Sequence, residues 1–357
     1  MRSKIGIDRF IGTGPSVGVQ PLHPVSEPSA SALTQYLAGL RPILDDRELT
    51  ELCINRPHEA FIERTSGWSR VPLSFASFEW CSQVARLIAA STQQRVTPES
   101  PLLSASLPTG ERVQVVLPPA TSAGTVALTI RKPSDRVLSL DVLDASGLFT
   151  RCETAEGPLA SEEVLRDLYA RREVKAFLRA AVRARKNILV SGPTGSGKTT
   201  LTKGLLLEIP SHERLVTLED AKELSLDQHP NSVRLFYSKD GQGLATTTPK
   251  QLLEACLRMR PDRILLAELR SDEAYYYLRN VNSGHPGSIT SVHASSARLA
   301  FEQLTLLVKE SPGGRDLKRE DIQSLLHQLI DVVVQCGVER QKRFVKEIWF
   351  GGANAAA

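Results

Sequence analysis

The sequence predicts an α/β protein in two parts: an α+β N-terminal domain joined by a linker to a domain with a mostly parallel sheet. Three observations carry this. Strand-like and helical runs are segregated before about residue 132 and alternate after Asn187. Alternation calls for parallel strands covered on both faces. A glycine-rich turn stands between a strand and a helix in the second half, and 357 residues suit about two domains of roughly 100–200 residues.

The elements follow in order. Residues 1–30 are rich in Gly, Pro and Ser and read as a flexible arm. Over 31–44, Leu33, Tyr36, Leu37 and Leu40 fall at helical spacing. Residues 52–54 and 60–63 read as strands turned at Pro57. Residues 77–90 form a helix with Phe78, Cys81, Val84, Ala85 and Ile88 on one stripe. Three strands follow at 102–106, 112–117 and 126–130, the first pair joined at Pro108-Thr109-Gly110. These make a domain over 31–132.

The pattern weakens over 133–160, broken by Pro133, Gly147 and Gly157, and reads as the linker. The second domain, 161–350, opens with a long helix from Ser161 to about Arg185. It continues with a strand at 187–190, the Gly-rich turn, a helix, and a strand at 215–218. Thr248-Pro249 opens a helix ending near Arg260, and a strand occupies 264–267. Ser271 caps a helix that Gly284 ends, and a strand covers 288–292. Residues 351–357 read as a disordered tail.

Composition excludes several classes. The formal charge of +4 and 5% aromatic content do not suit a nucleic-acid channel that grips phosphates and stacks bases, so direct nucleic-acid binding is not expected. No window of 18 apolar residues is present, and residues 1–30 lack the continuous apolar run of a signal peptide. Five dispersed cysteines (Cys53, Cys81, Cys152, Cys256, Cys336) suit reduced thiols better than a disulfide frame or zinc site. A cytoplasmic chain is the expectation.

Gly192-Pro193-Thr194-Gly195-Ser196-Gly197-Lys198-Thr199, with Thr200 behind it, fits G-x-x-x-x-G-K-[ST] directly after a strand and before a helix. Its glycines let backbone N–H groups turn around a polyphosphate at the positive end of the helix. Lys198 would reach the β- and γ-phosphates and Thr199 would ligate Mg²⁺, so ATP and Mg²⁺ are the expected cofactors.

Hydrolysis also needs a carboxylate for the water. Functional groups collect at the carboxyl ends of parallel strands, and Glu268 sits just past one. Its neighbour is Ala267, so a metal-holding Asp before it is missing. Glu219 and Asp220, at the end of another strand with Glu223 nearby, supply an accessory acidic cluster for the metal's outer shell. His285 and His293 bracket a Gly-rich strand. Arg112 and Arg131 lie on first-domain strands and would compensate γ-phosphate charge if nucleotide lay between the domains.

Taken together, these segments resemble the secretion-ATPase superfamily, specifically the traffic ATPases of type IV secretion systems, over about residues 31–350. GPTGSGKTT (192–200), LVTLEDAKEL (215–224), RMRPDRILLAELRSDEA (258–274) and SGHPGSITSVHA (283–294) are similar to the family's phosphate loop, acidic box, Glu-bearing strand and histidine box, in order. GERVQVVLPP (110–119) and LTIRKP (128–133) resemble the segments whose arginines reach nucleotide from the N-terminal side.

The resemblance implies a RecA-like P-loop domain and a homohexameric ring that couples ATP hydrolysis to domain motion. The ring would sit at the cytoplasmic face of the bacterial inner membrane, with a secretion machine's membrane and cytoplasmic components as partners. It also implies Glu268 on the water, Glu219 and Asp220 as accessory acids, His293 and His285 toward the γ-phosphate, and Arg112 and Arg131 as charge partners. A bridge from Lys198 through the γ-phosphate to Arg112 or Arg131 would then draw the domains together. Only Cys336 follows the histidine box, which disfavours the type II secretion and pilus-assembly branch with its four-cysteine module. A nucleotide-gated scaffold with negligible turnover is the other class compatible with a P-loop.

Overall fold

The structure, a computed structural model, describes residues 28–133, 139–148, 150, 160–238, 244–281 and 284–351. Most of the expected arm, much of the linker, Cys152 and the tail lie outside the described residues.

The chain opens with α1 (Pro28–Leu37), a 3₁₀ turn at Ala38–Leu40 and α2 (Arg41–Leu44), where the sequence predicts one helix. Pro42 has no N–H to continue the ladder, and Gly39 lies 2.9 Å (from where its Cβ would be) to the Phe75 ring, so the run tightens there. Next come β1 (Glu51–Arg56), β2 (Glu59–Arg64), β3 (Gly67–Pro72), α3 (Phe78–Ser91), β4 (Leu102–Ser106), β5 (Arg112–Val116) and β6 (Ala127–Arg131). The strands pair antiparallel in the order β3-β2-β1-β6-β5-β4. Leu33 and Leu37 of α1 and Val84 and Ile88 of α3 cover one face, against Leu52, Ile54, Val115 and Ile130. The sequence reading missed β3, a largely exposed edge strand without apolar alternation.

A short helix, α4 (Leu140–Ala145), stands in the linker region. The long helix expected from Ser161 is instead two, α5 (Ala160–Ala170) and α6 (Val174–Arg183). Arg172 adopts φ +58°, and the N–H groups of Arg172 and Glu173 return to the carbonyls of Tyr169 and Leu168, both at 3.0 Å. That is a left-handed helix stop.

The second sheet region comprises β7 (Ile188–Ser191), α7 (Lys198–Leu206), β8 (Leu215–Glu219), β9 (Ser232–Phe236), α8 (Pro249–Cys256), β10 (Arg263–Leu266), α9 (Glu273–Val281), β11 (Ile289–Val292), α10 (Ala297–Glu310), α11 (Arg319–Leu329), β12 (Val332–Glu339) and β13 (Lys342–Phe350). β10-β8-β9 are parallel, and β11-β7-β12 are parallel with β13 closing an antiparallel hairpin. The Leu269 N–H donates to the Ser291 carbonyl at 2.8 Å and Ser291 Oγ to the Ala267 carbonyl at 3.0 Å, tying the two sheets together.

Phe177, Val182 and Leu205 of α6 and α7 pack on Ile188, Val190 and Val334. Leu252, Tyr277, Phe301 and Leu326 of α8–α11 cover Leu189, Val216 and Val333 on the opposite face. The predicted fold class holds: a segregated antiparallel part and a mostly parallel sheet covered on both sides. Strand β9 and the elements from α10 to β13 are not among those the sequence reading assigns.

Candidate nucleotide site

Because β7, β8, β10 and β11 run in one direction, the residues that follow them gather at one edge of the sheet. The glycine-rich loop leaves β7 there. A Cβ on Gly192 would lie 2.5 Å from Ser196 Oγ and 2.8 Å from the Cys336 carbonyl oxygen, so only glycine fits. Gly197 begins α7 at φ +89°, a left-handed conformation costly for a side chain. Ser196 is buried and closes the loop on the Pro193 carbonyl at 2.8 Å, while Pro193, Thr194, Gly195, Thr199 and Thr200 are exposed.

Lys198 is buried and caps its own loop, with Nζ 2.9 Å from the Gly192 carbonyl and 3.3 Å from that of Pro193. Burial pulls its pKa down, and the nearby Glu268 charge opposes this. Nζ also stands 3.2 Å from His293 Nδ1, and His293 Nε2 is 2.6 Å from Glu268 Oε1. With Lys198 protonated, Nδ1 accepts from Nζ, and Nε2 rests against the Glu268 carboxylate. Glu268 in turn pairs with Arg270, which reaches Asp220 at 3.5 Å. Lys198, His293, Glu268, Arg270 and Asp220 thus form one chain across the end of the sheet.

Chemically, this arrangement offers a cation for phosphate oxygens, a hydrogen-bonding imidazole beside it, and a carboxylate 10% exposed that can orient water. Glu273 supports it from beneath, its carboxylate accepting the N–H groups of Arg270 (2.5 Å) and Ser271 (2.9 Å). That carboxylate, rather than Ser271, satisfies the turn into α9. The oxygens that could serve Mg²⁺ are the Thr199 hydroxyl and the carboxylates of Asp220 and Glu223 at the same edge. These are hard oxygens and few in number, as suits an ion that keeps waters and shares phosphate ligands.

Several of the expected site residues sit differently from the rest. Glu219 is at the right edge but fully buried, and its oxygens are taken: Arg234 donates through Nε (2.9 Å) and Nη2 (2.7 Å), Thr217 Oγ1 at 2.7 Å, and the Glu223 and Leu224 N–H groups at 2.9 Å each. It shapes the acidic turn and is not presented to a metal. His285 precedes β11, so it lies at the other edge, where burial, helped by the Arg260 charge, depresses its pKa.

Arg112 and Arg131 are at that N-terminal edge too. They line two adjoining cavities of about 660 and 670 Å³, with Arg258 in one and Arg260 in the other, residues that lie between α8 and β10. Arg131 Nε is 3.3 Å from Glu51. Strands of four to five residues separate the edges by roughly 13–16 Å of backbone rise. The Lys198–γ-phosphate–Arg112/Arg131 bridge expected within one chain is therefore not formed in this arrangement.

The first sheet docks at the N-terminal edge through buried polar contacts. Arg214, fully buried at the start of β8, donates to Asn55 (2.8 Å), Asn231 (2.5 Å) and the Met259 carbonyl (2.8 Å). Arg260 Nη2 lies 2.7 Å from Glu63. Sequence reading did not single out Arg270, although its place two residues beyond Glu268 puts both side chains on one side of an extended segment. It had no signal for Arg214.

Residues 157–347 match the family described as Type II/IV secretion system protein. The chain is 47% identical over 343 residues to the type IV secretion system protein VirB11 of Bartonella quintana, covering 93% of this chain and 96% of that one. It is 43% identical over 327 residues to the protein of the same name from Brucella suis biovar 1, covering 90% and 91%. Its structure superposes with a TM-score of 0.86 on the crystal structure of the VirB11 ATPase from the Brucella suis type IV secretion system in complex with sulphate. That match has 42% identity and covers 90% of this chain and 95% of that one. The resemblance read from four motifs in order is thus confirmed over nearly the whole chain, and the chain belongs to the type II/IV secretion system protein family, among its VirB11-type secretion ATPases.

Proposed function

We propose that this protein hydrolyses Mg-ATP at the C-terminal edge of its parallel sheet and turns the cycle into domain motion that drives a type IV secretion apparatus. The observation that carries this is the continuous contact from Lys198 through His293 to Glu268, since nucleotide binding alone requires no carboxylate beside the phosphate cation. Phosphate entry would draw Lys198 from the Gly192 and Pro193 carbonyls. His293 would face the γ-phosphate, and Glu268 would position the attacking water. Mg²⁺, held by Thr199 and outer-shell Asp220, would neutralise phosphate charge.

The working form is a homohexameric ring, peripheral at the cytoplasmic face of the inner membrane, with the machine's membrane and cytoplasmic components as partners. Arg112 and Arg131 face open cavities away from their own Lys198, so their charge serves a nucleotide only when a neighbouring subunit brings one. Mixing tests this. Lys198→Ala chains lack a working site, and Arg112→Ala/Arg131→Ala chains lack the partner cations. Mixed rings should regain hydrolysis that neither regains alone. A mixture as inactive as its parts contradicts the shared site.

A further inference from the structure

The β12–β13 hairpin outruns the rest of its sheet. β12 pairs with β7 only from Val332 to Gln335, against Ile188 to Ser191. Cys336 to Glu339 then continue with β13 alone, past the end of β7 and alongside the phosphate loop. The register of β13 changes at that point. Gln335 faces Glu347 and Cys336 faces Val345, so Lys346 is an extra residue, a bulge. Below it, Ile348 and Phe350 pack toward α6 and α7. Unbroken alternation would hand that face to Phe344. The bulge hands it to Val345 and Arg343 instead, as bulges re-aim side chains. Arg343 Nε donates to the Gly195 carbonyl at 3.1 Å, and its Cδ lies 3.1 Å from where a Cβ on Gly197 would stand.

The direction of a bound nucleotide follows from the other side of β7. His293 and Glu268 lie toward β11 and β10, which fixes the γ-phosphate there. A phosphate chain cradled by the loop must run away from them, so its adenosine half leaves on the β12–β13 side. We propose that Arg343 binds the α-phosphate of the nucleotide, using guanidinium N–H groups beyond the one resting on Gly195. A planar cation with several donors suits a phosphate oxygen pair. This rests on the nucleotide reading of the loop.

The test is ADP binding by titration calorimetry on the full chain, wild type beside Arg343→Met and Arg343→Lys, with melting of the nucleotide-free proteins and steady-state hydrolysis. Loss of one charge-assisted contact should weaken ADP binding about tenfold in Arg343→Met, with partial recovery in Arg343→Lys. KM for ATP should rise similarly while kcat stays within about twofold, because the γ-phosphate end is untouched. The nucleotide-free melting temperature should fall by no more than about 2 °C, the worth of the single exposed contact to Gly195. Unchanged ADP affinity in Arg343→Met overturns the assignment. So does an affinity loss matched by a fall of several degrees in nucleotide-free melting, which would make Arg343 a brace for the loop. Wild-type protein that binds no ADP would overturn the nucleotide reading itself, and Arg343 with it.

Discussion

Both edges of the parallel sheet carry ion pairs and buried cations, arranged in opposite ways. At the N-terminal edge the cations are already held, the fully buried Arg214 by Asn55, Asn231 and the Met259 carbonyl and its neighbours by carboxylates. Arg263 is fully buried on Glu213 at 2.7 and 3.0 Å, and Arg260 lies 3.4 Å from Asp262 and 2.7 Å from Glu63. At the C-terminal edge Lys198 is buried on neutral carbonyls, beside a half-exposed histidine and an open loop. A buried ammonium without a carboxylate of its own is destabilised, and a phosphate arriving in the open loop would relieve it. Charge density therefore does not mark the site. An under-compensated cation with room in front of it does.

The comparison implies that breaking the matched edge unfolds the protein, whereas breaking the open edge stops its chemistry. The largest effect on stability belongs to Arg214→Ala. It strands the acceptors on Asn55, Asn231 and Met259 and empties a large volume, and roughly 3–5 kcal/mol should be lost in urea denaturation. A loss under about 1 kcal/mol would mean the docking contacts are dispensable.

The next effect is a pH dependence. Burial pushes the Glu51 carboxyl up from 4.5 to about 7 despite Arg131 beside it. The folded chain then holds a proton that the unfolded chain releases, so stability is full below about pH 4.5 and falls as pH rises through about 7. The drop should be about 3 kcal/mol. Glu51→Gln should flatten that fall between pH 5 and 8, and an equally steep variant would contradict the burial argument.

Smallest and sharpest is the histidine pair. His293→Ala should lower kcat at least about tenfold, the worth of a lost hydrogen bond in the site. His285→Ala, at the other edge, should leave kcat within about twofold. Equal effects would erase the distinction between the edges.

What was legible in the sequence divides along the same line. Residues 192–200 and Glu268 owe their positions to local geometry, a turn after a strand or a residue just past one, so pattern alone located them in the fold. His285 and His293 look alike in sequence, yet the four-residue β11 between them sends one to each edge. Glu219 and Asp220 are adjacent, but strand alternation buries the first against Arg234 and leaves the second outside. Arg112, Arg131, Arg214 and Arg343 depend on how the first sheet docks and on one bulge in β13, neither of which any spacing encodes.

The most direct test of the account is Glu268→Gln, read twice: steady-state Mg-ATP hydrolysis and equilibrium ATP binding. The amide keeps the shape but cannot take the charge or a proton from water. Hydrolysis should fall about a thousandfold while ATP affinity stays within about threefold. Hydrolysis near the wild-type rate would contradict the assignment and place the water-activating group elsewhere in the fold.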